Sequence, residues 1–102
     1  MDIEEIRNRI RNGRHVISFT HTEKLRRRRI SLNTIEQAIS QGEIIEDYTQ
    51  DPRGPSCLIR GFTQEGRPIH VVCGNLEEDD LLIITAYEPD STDWELDWKT
   101  RK

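Results

Sequence analysis

The chain has 102 residues, a length that suits one domain with a single modest core. Hydrophobic and charged residues each make up 33% of it, so the core should be thin, and no apolar run is long enough to span a membrane. The formal net charge of −4 at pH 7 argues against a general nucleic-acid binder. Because the N-terminus carries no apolar signal segment, we expect a cytoplasmic protein.

The charges are distributed unevenly along the chain. Lys and Arg are concentrated in residues 1–42, which include four consecutive arginines at 26–29, whereas residues 76–97 carry Asp and Glu without a basic residue. This polarity can place a positive patch against phosphates and an acidic surface elsewhere. It is also consistent with an ordinary solvated surface.

The N-terminal part of the chain is predicted to be helical. Isoleucine recurs at helical spacing within residues 2–12, and Gly13 is a suitable end for this helix. Thr20 and Glu23 have the spacing of a capping box, so a second helix should begin at His21 and close on the arginine run. At the first helical position, His21 would lie near the positive end of the helix dipole, which lowers the pKa of its imidazole.

Two further segments complete this helical part, residues 1–42. Residues 15–20 have the pattern of a short extended segment between the first two helices. A third helix, with Ser31 or Asn33 as its N-cap, should extend to Gln41 and present an apolar stripe for packing.

Residues 43–88 are predicted to form four antiparallel strands. Turn residues separate the apolar runs, which occupy residues 43–48, 57–62, 67–74 and 81–87. The first of these should be an edge strand, because two prolines follow it, and 67–74 should be central. Strict alternation would place four side chains of the last strand on one face, namely Leu81, Ile83, Thr85 and Tyr87. The sequence therefore predicts an α+β domain, with two or three N-terminal helices packed on a four-stranded antiparallel sheet.

The turn between the second and third of these strands allows two registers. A three-residue loop closed by Gly66 would place Arg60 opposite His70 on the same face. A two-residue turn would instead place Arg60 opposite Val71, which moves the two polar side chains to opposite faces. We favour the three-residue loop.

The cysteines and the C-terminal tail have simpler interpretations. Cys57 and Cys73 lie within strands without a metal-binding spacing, so we expect buried free thiols. We expect no metal and no cofactor, because alternation sends His70 and Cys73 to opposite faces. The tail, residues 89–102, is highly charged but carries Trp94 and Trp98 at helical spacing, which predicts a short docked helix or a partner-binding segment.

A polar side chain recurs in each apolar strand, and these residues are the candidates for chemistry. They are Arg60, His70, Thr85 and Tyr87. Metal-independent RNA cleavage needs a base for the 2′-hydroxyl, an acid for the leaving oxygen and donors for the charged transition state. A histidine in an apolar strand is also commonly a hydrogen-bonded core residue, and tyrosine packs well on strands.

Several motifs occur in series between residues 15 and 94. They are Gly-Glu-Ile-Ile-Glu-x-Tyr, Asp-Pro-Arg-Gly-Pro-Ser-Cys-Leu, Arg-Pro-Ile-His-Val-Val and Ile-Ile-Thr-Ala-Tyr-Glu-Pro. The series resembles a bacterial, often cyanobacterial, domain family of unassigned function that is often encoded beside a small zinc-finger antitoxin. That family is distantly similar to RelE-like and barnase-like ribonuclease toxins, in which N-terminal helices pack on a four-stranded antiparallel sheet.

The resemblance implies a type II toxin that acts as a metal-independent endoribonuclease of the mRNA-interferase kind. Its expected partners are RNA and a cognate antitoxin of possible zinc-finger type, with no membrane partner and with a homodimer as an option. The resemblance and the strand pattern together predict which residues are catalytic and which bind the substrate. The catalytic set is His21, His70 and Tyr87, and the substrate-binding set is Arg28, Arg29, Tyr48, Arg60 and Thr85.

One position departs from the family pattern. Members often carry an arginine four residues after the helix histidine, where this chain has Leu25. Either Arg28 or Arg29 can substitute for it.

Two other functions fit the same sequence. The main alternative is a non-enzymatic module that binds a protein partner through its acidic C-terminal region, which would not need the histidines. The other is a DNA-binding regulator that reads through the arginine helix, which the negative net charge disfavours.

Overall fold

The structure, a computed structural model, describes residues 2–17, 19–52, 54–75 and 80–102, without the side chains of residues 19–21 and of Asn75. Three helices and five strands occur in these ranges. The helices are α1 (Ile3–Arg11), α2 (Phe19–Arg27) and α3 (Leu32–Ser40). The strands are β1 (His15–Ile17), β2 (Glu43–Tyr48), β3 (Ser56–Phe62), β4 (Pro68–Asn75) and β5 (Leu81–Tyr87).

The sheet has five strands in the order β1-β5-β4-β3-β2, so β4 is central and β2 is an edge, as predicted. The α+β class is confirmed, but the prediction of a four-stranded antiparallel sheet is wrong. The short extended segment after α1 pairs with β5 in parallel, with Val16 opposite Leu82. Pairing satisfies backbone groups that β5 would otherwise leave open at its edge. The sequence of β1 is only three residues long and carries no signal that it pairs with β5.

The predicted three-residue hairpin loop between β3 and β4 is confirmed. The Thr63 N–H donates to the Arg67 carbonyl at 3.0 Å, and Gly66 has φ +87°, a conformation that glycine adopts without steric cost. Arg60 therefore pairs with His70 across the two strands. The register places both polar side chains on one face of the sheet.

The predicted alternation of β5 is wrong. The register between β4 and β5 shifts after the pair of Val72 and Thr85, a β-bulge that changes which side chains face the core. Leu81 and Ile83 are buried under the helices, whereas Tyr87 pairs with His70 on the opposite face. A prediction that assigns alternate residues of a strand to alternate faces cannot anticipate a bulge, in which one extra residue is inserted.

Two of the three helices lie close to their predicted bounds. Asp2 caps α1, and Ser31 caps α3 through a reciprocal capping box with Thr34. The predicted start of α2 is wrong, because the helix is already formed at Phe19 and Thr20 lies within it. Strand β1 ends at Ile17, so the chain enters α2 almost at once.

The helices cover one face of the sheet. The core lies between them and is built mainly from aliphatic side chains of the helices and of the sheet. Cys57 and Cys73 are cross-strand partners on this helical face and are buried and unbonded, which confirms the predicted free thiols. Burial raises the pKa of the Cys57 thiol to about 11 and raises that of Cys73 as well. Both thiols are therefore inert at neutral pH. No helix in the described ranges is long and apolar enough to cross a membrane.

Residues 90–102, which follow the buried Pro89 and are called the tail from here on, do not form the short helix predicted from the tryptophan spacing. They form turns closed by an isolated bridge between Trp94 and Arg101. The Asp97 carboxylate accepts hydrogen bonds from the backbone N–H groups of Lys99 and Thr100, both at 3.0 Å. Such local bonds compete with helix formation. Trp94 docks with 4% of its surface exposed, whereas Trp98 is half-buried.

Candidate functional site

The predicted polar residues of the strands converge on the face of the sheet opposite the helices, which we call the outer face. Cross-strand pairing places Arg60 of β3, His70 of β4 and Tyr87 of β5 in one row. Their neighbours Ile59, Ile69 and Val71 point to the helical core, which fixes the orientation of this row by strand alternation. The tail lies over the row.

His70 is the centre of the row and is fully buried. Its Nε2 lies 2.6 Å from the Trp98 carbonyl oxygen, which can only accept, so Nε2 carries a proton. In the neutral ring Nδ1 is then an acceptor, and it lies 3.4 Å from the Tyr87 hydroxyl. Burial lowers the pKa of His70, which keeps the imidazole neutral at pH 7. The result is a neutral imidazole with a phenol on one nitrogen and a tail carbonyl on the other.

Aromatic rings enclose this imidazole on two sides. The Trp94 ring stands perpendicular to it with centroids 4.6 Å apart, and the Tyr87 ring lies edge-on at 5.4 Å. The Arg101 guanidinium covers Trp94 at 4.6 Å from the ring centroid. Burial also raises the pKa of the Tyr87 phenol, so that the hydroxyl is protonated at neutral pH.

Arg60 holds both the edge of the sheet and the tail. One terminal nitrogen donates to the Glu43 carboxylate at 2.8 Å, and the other donates to the Asp97 carbonyl at 2.8 Å. Its guanidinium also lies over the Phe62 ring at 4.9 Å. The buried Nε has no hydrogen-bond partner among the described residues. The guanidinium therefore retains donor capacity under the tail.

Tyr48 lies at the exposed edge of the outer face and is joined to the tail through Glu46. The Tyr48 hydroxyl donates to the Glu46 carboxylate, which also accepts two bonds from Arg101 at 2.7 and 3.0 Å. The Arg101 bond holds the pKa of Glu46 below its usual value. Partial burial and the bond to Glu46 raise the pKa of Tyr48 to about 12. The phenol is thus a donor at neutral pH.

Arg28 is the member of the arginine run that reaches the sheet. Its guanidinium donates to the Ala86 carbonyl at 2.8 Å and to the Thr85 hydroxyl at 3.3 Å. Arg67 in turn donates to the Arg28 carbonyl at 2.7 Å. Two predicted substrate-binding residues, Arg28 and Thr85, are therefore brought together, and they join α2 to β5.

Two predicted residues remain, His21 and Arg29, and of these Arg29 is not brought to the row. The side chain of His21 lies outside the described residues. Arg29, with φ +57°, lines a separate groove of about 480 Å³ next to α2, and no residue of the outer face lines that groove. Leu25, at the position where the family pattern favours arginine, is 4% exposed in the core. An arginine there would bury an unpaired charge in this chain.

Sequence reasoning missed the contribution of the tail to this site. Glu46, Trp94 and Arg101 surround the row, and two backbone carbonyls of the tail accept bonds from it. The tryptophan spacing indicated a docking segment, and Glu46 lies in the Gly-Glu-Ile-Ile-Glu-x-Tyr motif. Nothing in the sequence indicated Arg101. Within the described ranges, no three His, Cys, Asp or Glu side chains are grouped so that they could hold a metal ion.

The burial of neutral His70 predicts a pH dependence of stability. Its folded-state pKa lies below the unfolded value of 6.5, so the unfolded chain binds more protons as the pH falls through that value. We expect the free energy of unfolding to decrease below about pH 6.5. In His70→Gln, which keeps an N–H near the position of Nε2, the decrease should be smaller.

Urea unfolding between about pH 5 and pH 7.5 measures this difference. The charged and titratable groups around the ring are Glu46, Arg60, Tyr87 and Arg101, and all are present in both proteins. Equal pH slopes for the two proteins would show that His70 is not held neutral.

A family model described as "Domain of unknown function (DUF4258)" matches residues 17–88. The match begins at the last residue of β1, covers α2 to β5 and ends just after Tyr87, so the row lies within it and the tail lies beyond it. No curated protein and no solved structure matches the chain significantly.

Proposed function

Since the chain belongs to the DUF4258 family, whose function is not assigned, we propose from the outer face that it is a metal-independent endoribonuclease. The proposed biological role is that of a cytoplasmic toxin in a toxin–antitoxin pair. Helices on one face of a sheet with four consecutive antiparallel strands support a distant relation to RelE-like and barnase-like toxins. The parallel strand β1 is an addition to that pattern.

The observation that carries the proposal is the row of Arg60, His70 and Tyr87 on adjacent strands. A neutral imidazole, a protonated phenol and a guanidinium are the base, acid and anion stabiliser that RNA cleavage by its own 2′-hydroxyl requires. None of these groups faces the aliphatic core under the helices. If these three groups were only structural, hydrogen bonds among them would be enough, and they would not need to match the groups that catalysis requires.

In the proposed reaction, His70 takes the proton of the 2′-hydroxyl as this oxygen attacks phosphorus. The bond from phosphorus to the 5′-oxygen breaks, and Tyr87 or His21 gives a proton to that leaving oxygen. The products are a 2′,3′-cyclic phosphate and a free 5′-hydroxyl. Where Tyr87 is the acid, return of a proton from His70 across their 3.4 Å contact restores both groups. Arg60 stabilises the negative charge on the phosphorane-like transition state.

The approach to this row is a cleft between the end of β5 and the tail. It measures about 420 Å³ and has Tyr87, Trp94 and Arg101 in its wall. Its rim also carries acidic groups, including Asp90 and Asp93. RNA would reach His70 only after the tail moves, because the imidazole has no exposed surface. Tyr48, at the open edge, is placed to stack on a base.

RNA and a cognate antitoxin are the proposed partners. The exposed arginines of α2, among them Arg26 and Arg27, form the basic surface available to a phosphate backbone. A protein partner has a separate attachment point in Leu96, which is 86% exposed within the acidic tail. The same residue supports the alternative of a non-enzymatic interaction module, whereas Trp94 is already used within the chain.

The test is growth and total RNA after induced expression of the wild type, His70→Ala, Tyr87→Phe and His21→Ala. The wild type should arrest growth and cleave RNA, and His70→Ala should reduce cleavage by about 100-fold or more. Arg14→Ala is the matched control, since it removes an exposed ion pair with Asp80 at the end of β5 opposite to Tyr87. Each protein is compared at equal soluble level.

Two results would contradict the proposal. RNA cleavage by His70→Ala at the wild-type rate would show that His70 is not the general base. Normal growth and intact RNA in every culture would favour the interaction module, and Leu96→Ala would then be the variant to test for loss of partner binding.

A further inference from the structure

Two backbone oxygens of the tail bind the polar row of the outer face. Consecutive carbonyls of Asp97 and Trp98 accept hydrogen bonds from Arg60 Nη1 at 2.8 Å and His70 Nε2 at 2.6 Å. The two donors lie on paired positions of neighbouring strands. Once these carbonyls have left, the Arg60 guanidinium can hold a phosphate oxygen, and the His70 imidazole is free to act as the proposed base. The tail therefore occupies the place where the proposed reaction needs its phosphate.

The tail is held to the sheet by contacts that are individually weak. Its ion pairs, Arg101 with Glu46 and Lys99 with Glu43, are largely open to solvent on the tail side, where exposed pairs contribute little. Trp98 has φ +60°, a left-handed conformation that is sterically unfavourable for a residue other than glycine. Trp94 is the one tail residue buried below a tenth of its surface. The apolar burial that detachment would lose is therefore concentrated in Trp94.

A second, independent observation concerns the extent of the family. The DUF4258 match ends at residue 88, before the tail begins. The row that the tail covers lies inside the match. The part of the chain common to the family thus contains the site, and the segment that closes it is outside that common part.

From these observations we infer that residues 90–102 are a displaceable strap, whose carbonyls of Asp97 and Trp98 occupy the site for an RNA phosphodiester. This inference rests on the proposed function. The strap and RNA compete for Arg60 and His70, so the apparent affinity for RNA is reduced by the fraction of molecules in which the strap is closed. Weakening the strap raises that affinity.

The test uses the full chain and a short fluorescent RNA whose 2′-hydroxyls are methylated, so that binding is measured without cleavage. Arg101→Ala removes the two bonds to Glu46. Although it also removes a positive charge, it should bind this RNA about five- to tenfold more tightly. Arg14→Ala removes an equally charged ion pair, with Asp80 at the end of β5 opposite to Tyr87, and should bind no more tightly than the wild type. Fluorescence anisotropy gives both affinities.

Opening of the strap is measured separately by acrylamide quenching of tryptophan fluorescence, with unlabelled RNA. Both tryptophans of the chain, Trp94 and Trp98, lie in the strap, and Trp94 is only 4% exposed while the strap is closed. Quenching should increase in Arg101→Ala and in wild type saturated with the RNA. Unchanged quenching in either case, or greater quenching without tighter binding, would overturn the inference.

The outcomes separate this inference from the proposed function. Tighter binding by Arg101→Ala without cleavage of natural RNA would support the strap and contradict the ribonuclease activity. Cleavage by the wild type at a rate that Arg101→Ala does not change would support the ribonuclease activity and contradict the strap. A variant with an opened strap that binds no RNA would contradict both.

Discussion

Gly61→Ala is expected to lower the free energy of unfolding by about 3 kcal/mol or more. A Cβ at this position of β3 would lie 1.9 Å from the Ala38 carbonyl oxygen and 2.5 Å from its carbon, both backbone atoms of α3. The helix must therefore move away from the sheet. Alanine in a strand is otherwise more favourable than glycine, so a loss of stability must come from this contact. Urea unfolding of the purified protein measures it.

Gly74→Ala is the matched control, since it places the same methyl group in the neighbouring strand β4. The nearest atom to that Cβ would be the Ile84 Cδ1 at 3.3 Å, at the flexible end of a side chain. We expect a change below about 1 kcal/mol. Similar denaturation midpoints for the two variants would show that α3 does not press on β3 as closely as the structure has it.

Ile39→Ala should lower the free energy of unfolding by about 3 kcal/mol. The side chain is fully buried in the core between α3 and the sheet, and its removal loses apolar burial and leaves a cavity. The Ile39 carbonyl also accepts a bond from Arg7 Nε at 3.1 Å, a contact that the substitution retains. The loss should therefore reflect the side chain alone. Thermal unfolding gives the corresponding fall in midpoint.

Leu32→Ala, in the first turn of the same helix, is the control because Leu32 is 38% exposed. Its replacement should cost less than about 1 kcal/mol. A loss equal to that of Ile39→Ala would place the apolar stripe of α3 on the wrong face. Both variants leave the outer face unchanged, so any RNA cleavage at low temperature should be retained.

Local patterns in the sequence were sufficient for much of the fold. The apolar runs and turn residues predicted strands β2 to β5 to within one or two residues, and the helical isoleucine spacing predicted α1. The register that pairs Arg60 with His70 followed from Gly66, since that loop needs a residue with positive φ. These features depend on interactions within a few residues along the chain.

Features that depend on distant partners were missed or misassigned. The parallel pairing of β1 with β5 joins residues more than sixty positions apart, and three residues carry no signal for it. The β-bulge reversed the faces of Leu81 and Ile83 relative to Thr85, because an inserted residue leaves the composition of a strand unchanged.

The sequence by itself determined the α+β class, the central strand and the choice of His70, Arg60 and Tyr87 as candidates, because these follow from short-range periodicity and residue chemistry. Only the tertiary structure decided that the row faces away from the core and lies under the tail. The contacts that close it are backbone carbonyls and the Glu46–Arg101 pair, 55 residues apart. Backbone oxygens occur at every position, so no pattern of side chains could have shown which of them His70 would bind.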